Sequence, residues 1–129
     1  NGLIAGTLWG GASFKILKAV EEKKANLILS PEILQEFTEV MEYPEILEKM
    51  RDKHLEIKFT AVKLKEISTV VYPSRKLQAV PDDPDDNIMV ECAVEGNVDY
   101  LISKDNHLLK LKSYEKIPII TPEEFLKLI

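Results

Sequence analysis

Cysteine is nearly absent: Cys92 is the single one in 129 residues. That excludes an intramolecular disulfide and a zinc site built from several cysteines, and it fits a reducing, cytoplasmic setting. No apolar run approaches the ~20 residues of a membrane span, which excludes an integral membrane protein. Basic charge is not in excess either, since 17 Lys and Arg face 22 Asp and Glu for a net charge of −5. A simple basic nucleic-acid clamp, which works by neutralising phosphates, is therefore disfavoured. Internal repeats, low-complexity tracts and linkers are also lacking, and the opening Asn1-Gly2-Leu3-Ile4 has no Met and no signal-like character. What is present is an ordinary globular balance, 45% hydrophobic and 30% charged, in a length that suits one domain. A chain of this size can bury a core without disulfides or a structural metal.

The pattern along the chain alternates. Residues 12–24 carry Phe14, Leu17 and Val20 at helical spacing, and Leu27-Ile28-Leu29 reads as a buried strand. Ser30-Pro31 starts a helix with Ser as N-cap and Pro in the first turn, followed by Ile33, Leu34, Phe37, Val40 and Met41 on one face. Tyr43-Pro44 ends it. Helices are expected at 45–50 and 54–68, and a strand at Val70-Val71-Tyr72. After a proline-containing loop over 73–84, a helix runs from Pro84 to about Val94 with Gly96 as its C-cap. Tyr100-Leu101-Ile102 and Ile117–Ile120 are further strands; Asp105 caps a short helix, and Thr121-Pro122-Glu123-Glu124 is a capping box for the last one. Short apolar strands alternating with helices imply an α/β fold, a three-layer Rossmann-like domain with a parallel sheet of about four to five strands. Sites in such folds lie at the carboxyl ends of the strands.

That rule reduces twenty-two acids to a few. On a helical wheel Glu36 lies about 100° from the centre of the apolar face, at the edge of the buried stripe. Glu32, Glu39 and Glu42 fall on the solvent side. Glu36 reads either as a boundary glutamate or as a site acid. Asp82, Asp83, Asp85 and Asp86 surround Pro84. Asp83 suits an N-cap, and Asp86, at the third helical position, is placed to reach back as in a capping box. Four neighbouring aspartates also repel one another, and a divalent cation relieves that repulsion. Asp105 follows a strand, either as a plain N-cap or as a ligand at the carboxyl edge. Carboxylates converging there form an oxygen-only set suited to Mg²⁺ or Mn²⁺ rather than zinc, an arrangement that hydrolyses phosphodiesters.

The segments Leu29-Ser30-Pro31-Glu32-Ile33-Leu34-Gln35-Glu36 and Asp83-Pro84-Asp85-Asp86-Asn87 resemble the S-P-E-I-L-x-E and D-P-D-D-N segments of the PIN domain. Residues 93–109 (AVEGNVDYLISKDNHLL) and Ile119-Ile120-Thr121-Pro122-Glu123-Glu124-Phe125-Leu126 are similar to its later blocks, in the same order and spacing. Within that family the likeness is to toxin components of prokaryotic toxin–antitoxin systems. The resemblance implies a metal-dependent endoribonuclease using Mg²⁺ or Mn²⁺, with Glu36, Asp86 and Asp105 as catalytic and metal residues. It also implies a hydroxyl beside the site at Ser103. Asn1, Asp83 and Asn87 are secondary candidates. The family's first strand ends in D-T-N and its aspartate is a ligand, whereas Asn1-Gly2-Leu3-Ile4 is similar to the stretch just after D-T. Residues 1–129 are thus expected to form a single PIN-like domain whose first, central strand lies upstream of residue 1, leaving a gap in the sheet.

Other expectations concern partners. An RNA backbone would find a basic flank in Lys49, Arg51, Lys53, Lys58, Lys63, Lys65, Arg75 and Lys76, unless these form an ordinary solvated face. Trp9 and Tyr43 are candidates for base stacking. His54 and His107 read as surface residues, His107 being the better site candidate of the two. An antitoxin protein and a second copy of the chain are expected partners, at the Met41–Met50 region and the C-terminal helix; a membrane is not. The alternatives are a catalytically inactive PIN-like RNA- or protein-binding module and a receiver-type signalling domain. The latter needs a lysine at a strand end that Lys104 does not supply.

Overall fold

The computed structural model describes residues 2–6, 11–41, 61–81 and 83–129, with backbone only for Gly11, Phe14, Val40, Met41 and residues 61–63. Expectations placed on Asn1, Trp9, Glu42, Tyr43, Lys49, Arg51, Lys53, His54, Lys58, Asp82, the 45–50 helix and the first half of the 54–68 helix lie outside the described residues. So do those on the side chain of Lys63 and on the Met41–Met50 surface.

The elements are β1 (Gly2–Gly6), α1 (Gly11–Glu21), β2 (Ala25–Leu29), α2 (Pro31–Met41), α3 (Ala61–Ile67), β3 (Ser68–Val70), α4 (Pro84–Glu95), β4 (Tyr100–Ile102), α5 (Asn106–Leu109), β5 (Ser113–Tyr114), β6 (Ile117–Ile120) and α6 (Pro122–Leu126). The strands form one sheet in the order β3-β2-β1-β4-β6-β5. All pairings are parallel except β5 with β6. Helices flank this sheet, with α1 beside α6 and α2 beside α3 and α4, giving the three-layer α/β arrangement. Among the described residues no helix is long and apolar enough to cross a membrane.

The expected gap at the sheet's centre is not there. Gly2–Gly6 takes that position, pairing with β2 on one side and β4 on the other. These residues form the strand because they are small or aliphatic and can be buried on both faces. Ile4 and Ala5 are fully buried, as a central parallel strand demands. Gly6 is required by space: a Cβ there would collide with the Ile102 carbonyl. Asp99 fastens the strand, its carboxylate accepting the Leu3 N–H at 2.8 Å while its own N–H donates to Leu3 O at 2.7 Å. Phe125 of α6 closes the core beneath, edge-on to Tyr100 with ring centroids 5.9 Å apart.

Two strands differ from expectation. β3 begins at Ser68, directly after α3, and Tyr72 stands exposed beyond it. Val71 still donates to Leu29 O at 2.8 Å, which carries the pairing one residue further. β5 is an addition made by a two-residue turn in which Glu115 and Lys116 have φ of 46° and 72°, the left-handed pair that a tight hairpin uses. The helix caps agree with the sequence reading. Asp83, Asp105 and Thr121 are N-caps, Gly96 is a C-cap, and the Thr121–Glu124 box is closed.

Candidate metal centre

The first turn of α4 sets two carboxyls against each other. Asp83, in extended backbone before Pro84, accepts the Asp86 N–H on Oδ1 at 3.2 Å. Asp86 does not reach back in a capping box, because the Asp83 N–H already donates to Val80 O at 3.1 Å. The Asp86 side chain turns inward instead. The residue is only 6% exposed, and its Oδ2 has no hydrogen-bond partner. Burial pushes its carboxyl up to about 7, helped by the hydrogen bond with Asp83 and the charges of Asp105 and Asp83, and opposed by His107. Asp83 moves the other way: the Asp86 N–H holds it below the usual carboxylate range, with smaller help from the Asp86 carboxyl and His107.

A second group arrives from the end of β4. Ser103 is buried and its N–H donates to Ile120 O at 3.0 Å. Its hydroxyl accepts the Asp105 N–H at 2.9 Å, which turns the chain sharply out of the strand. Asp105 then caps α5 by accepting the His107 N–H at 2.7 Å. The His107 ring folds back over the acids. Its Nδ1 lies 3.5 Å from Asp105 Oδ1, 3.6 Å from Asp83 Oδ2 and 3.9 Å from Asp86 Oδ2. One ligand atom from each of Asp83, Asp86, Asp105 and His107 falls within 4.8 Å of all the others.

Glu36 comes from α2. It is half-buried while Glu32 and Glu39 are exposed, as the wheel implies. With Asp83, Asp85, Asp86 and Asp105 it lines a cavity of about 290 Å³, and Ser103, Met89 and Lys104 complete the wall. Burial first, then the charges of Asp85, Glu39 and Asp83, raise the Glu36 carboxyl above the ordinary glutamate value. The structure therefore brings Asp86 and Asp105 into one cluster and sets Glu36 on the wall of the same cavity.

Asp83 and His107 lie closer to the centre of the cluster than the sequence reading allowed. The signals available for them were the closeness of His107 to Asp105 in sequence and the N-cap position of Asp83. Asn87 is engaged with the preceding loop. Its Oδ1 accepts the Val80 N–H at 2.8 Å and its Nδ2 donates to Val80 O at 2.9 Å, so it fastens that loop. In the expected basic flank, the exposed Arg75 guanidinium is held by Glu115 through two bonds of 3.0 and 2.9 Å. Lys65 and Lys76 are exposed. Lys104, which the flank did not include, is on the cavity wall.

These residues fit a divalent cation. The buried Asp86 Oδ2 has no partner and belongs to a residue whose ligand atom lies within 4.8 Å of those of Asp83, Asp105 and His107, and a cation would satisfy it. The fold and this cluster define an α/β protein with a carboxylate-rich cluster that could hold a metal at the carboxyl edge of a parallel sheet. The family model of the PIN domain matches residues 1–107. The chain belongs to the PIN-domain family, whose fold is of nuclease type and whose members are generally metal-dependent nucleases. Comparison with curated proteins and with solved structures gave no match.

Proposed function

We propose that the protein is a metal-dependent endoribonuclease that hydrolyses RNA phosphodiester bonds and serves as the toxin of a toxin–antitoxin pair. The observation that carries this reading is the meeting of Asp83, Asp86 and Asp105 in one cavity with Glu36 on its wall and an unsatisfied Asp86 oxygen turned into it. Glu36, Asp86 and Asp105 would hold Mg²⁺ or Mn²⁺. Such an ion, when bound, supplies Lewis-acid polarisation of the phosphodiester and makes water a stronger nucleophile. Ser103 fixes the direction of Asp105, and Lys104 offers a cation where a phosphate would approach. The reading includes a cytoplasmic location, an antitoxin protein and a second copy of the chain as partners; exposed Leu128 and Ile129 at the C-terminus are apolar surface available to either.

The test is cleavage of mixed RNA substrates by the purified protein with Mn²⁺, against a chelator control, a DNA control and Asp105→Asn. Metal-dependent RNA cleavage that falls about 100-fold or more in Asp105→Asn is the expected result. Cleavage that survives the variant or the chelator sinks the catalytic reading. One observation favours a second reading, a catalytically inactive PIN-like RNA- or protein-binding module: β1, at the sheet's centre, brings no carboxylate to the cavity. RNA retention without cleavage would select it.

A further inference from the structure

We propose that His107 is itself a ligand of the site's cation through Nδ1, making the centre a mixed nitrogen–oxygen site that prefers a first-row transition ion to Mg²⁺. This rests on the metal-site reading above and deepens it.

The argument is geometric. The His107 Nδ1 stands 3.5–3.9 Å from one oxygen of each of Asp105, Asp83 and Asp86. These separations exceed a good N–H···O hydrogen bond. They are short enough that a shift of under about 1 Å by the exposed ring would bring Nδ1 to the ~3.0 Å that separates adjacent ligands on an ion with bonds of about 2.1 Å. The residue is anchored at its backbone, where the His107 N–H donates to Asp105 Oδ1 at 2.7 Å. A second observation points to a ligand independently of the cluster: the buried Asp86 Oδ2 has no partner and is the oxygen His107 Nδ1 faces at 3.9 Å.

The donor set has a chemical consequence. An oxygen-only site suits Mg²⁺, which dehydrates reluctantly and is bound by carboxylates and water. An imidazole nitrogen adds affinity for first-row transition ions and little for Mg²⁺. His107 is 65% exposed at its side chain, so replacing it disturbs no core.

The experiment is metal binding with no substrate present. Mn²⁺ and Mg²⁺ are titrated into the metal-free protein, and the Mn²⁺ complex is examined by pulsed EPR for coupling to the ¹⁴N of a coordinated imidazole. The wild-type protein is expected to bind Mn²⁺ about 10-fold or more tighter than Mg²⁺ and to show the nitrogen coupling. His107→Gln should lose the coupling and about 10-fold in Mn²⁺ affinity while Mg²⁺ binding stays within about twofold. His54→Gln, at the only other histidine in the chain, should keep both. Mn²⁺ bound without nitrogen coupling, or with coupling that survives His107→Gln, overturns the proposal and leaves the carboxylate site standing. No Mn²⁺ or Mg²⁺ binding at all overturns both readings together.

Discussion

Asp86 is a residue whose chemistry changes strongly on folding. Its carboxyl rises from 3.8 to about 7 because burial and neighbouring acids disfavour its charge. The folded protein thus keeps a proton that the unfolded chain releases. In the metal-free protein this contribution is fully present below about pH 4 and is lost as pH climbs through about 7. Asp86→Asn removes the penalty. Its metal-free Tm should match wild type at pH 4 and exceed it by about 5 °C at pH 8, as read by scanning calorimetry across that range. Added Mn²⁺ should raise the wild-type Tm at pH 8 by mass action and do little for the variant. An equal offset at both pH values would contradict the account. Asp86 and Asp105 were legible in the sequence because position decides them: one falls in a first helical turn, the other just past a strand. The nearness of His107 to Asp83 was not, because it depends on two short turns meeting across the sheet edge from 24 residues apart in sequence.

At the scale of elements, α4 does more than carry acids. Asn87, Glu91 and Glu95 recur every four residues and so share one helical face. Each accepts from the loop before the helix: Val80 N–H to Asn87, Leu77 N–H to Glu91 at 2.9 Å, and the Ser74 N–H and hydroxyl to Glu95 at 2.8 and 3.1 Å. Glu91 is 8% exposed, so it needs that donor. Leu77→Pro, which deletes the N–H, and Glu91→Ala, which deletes the acceptor, should each cost about 1–3 kcal/mol in chemical denaturation. The double variant should cost less than the sum of the two, since the second change removes a group already orphaned. The four-residue spacing of polar side chains was present in the sequence. Its use was not legible, because nothing local says that an extended chain lies along that face. The helix starts were legible where their caps are chemical, as at Thr121 and Asp105. β5 was not, because Glu115-Lys116 is an unusual pair for left-handed backbone and gives no turn signal.

For the molecule as a whole, the decisive placement is β1. The alternation of strands and helices was enough to predict a parallel α/β domain, and the sheet has that character. Its centre is occupied by Gly2-Leu3-Ile4-Ala5-Gly6, whose burial suits a central strand and which the motif match had aligned with the stretch after D-T. Gly6 is the sensitive point. Gly6→Ala places a methyl against the Ile102 carbonyl in the middle of the sheet. It should cost about 3 kcal/mol and lower the urea midpoint without changing the slope, whereas the same change at Gly2, where a Cβ meets only the Phe125 ring at 3.8 Å, should be mild. The grip of α4 on its loop has a last consequence. All three holds are on the main chain of residues 74, 77 and 80, and only Ser74 adds a side chain. The helix is therefore blind to what the loop displays. Residues 76 and 78, both exposed, are a rewritable face: their charge and size can change while the helix keeps its hold on the main chain of the loop.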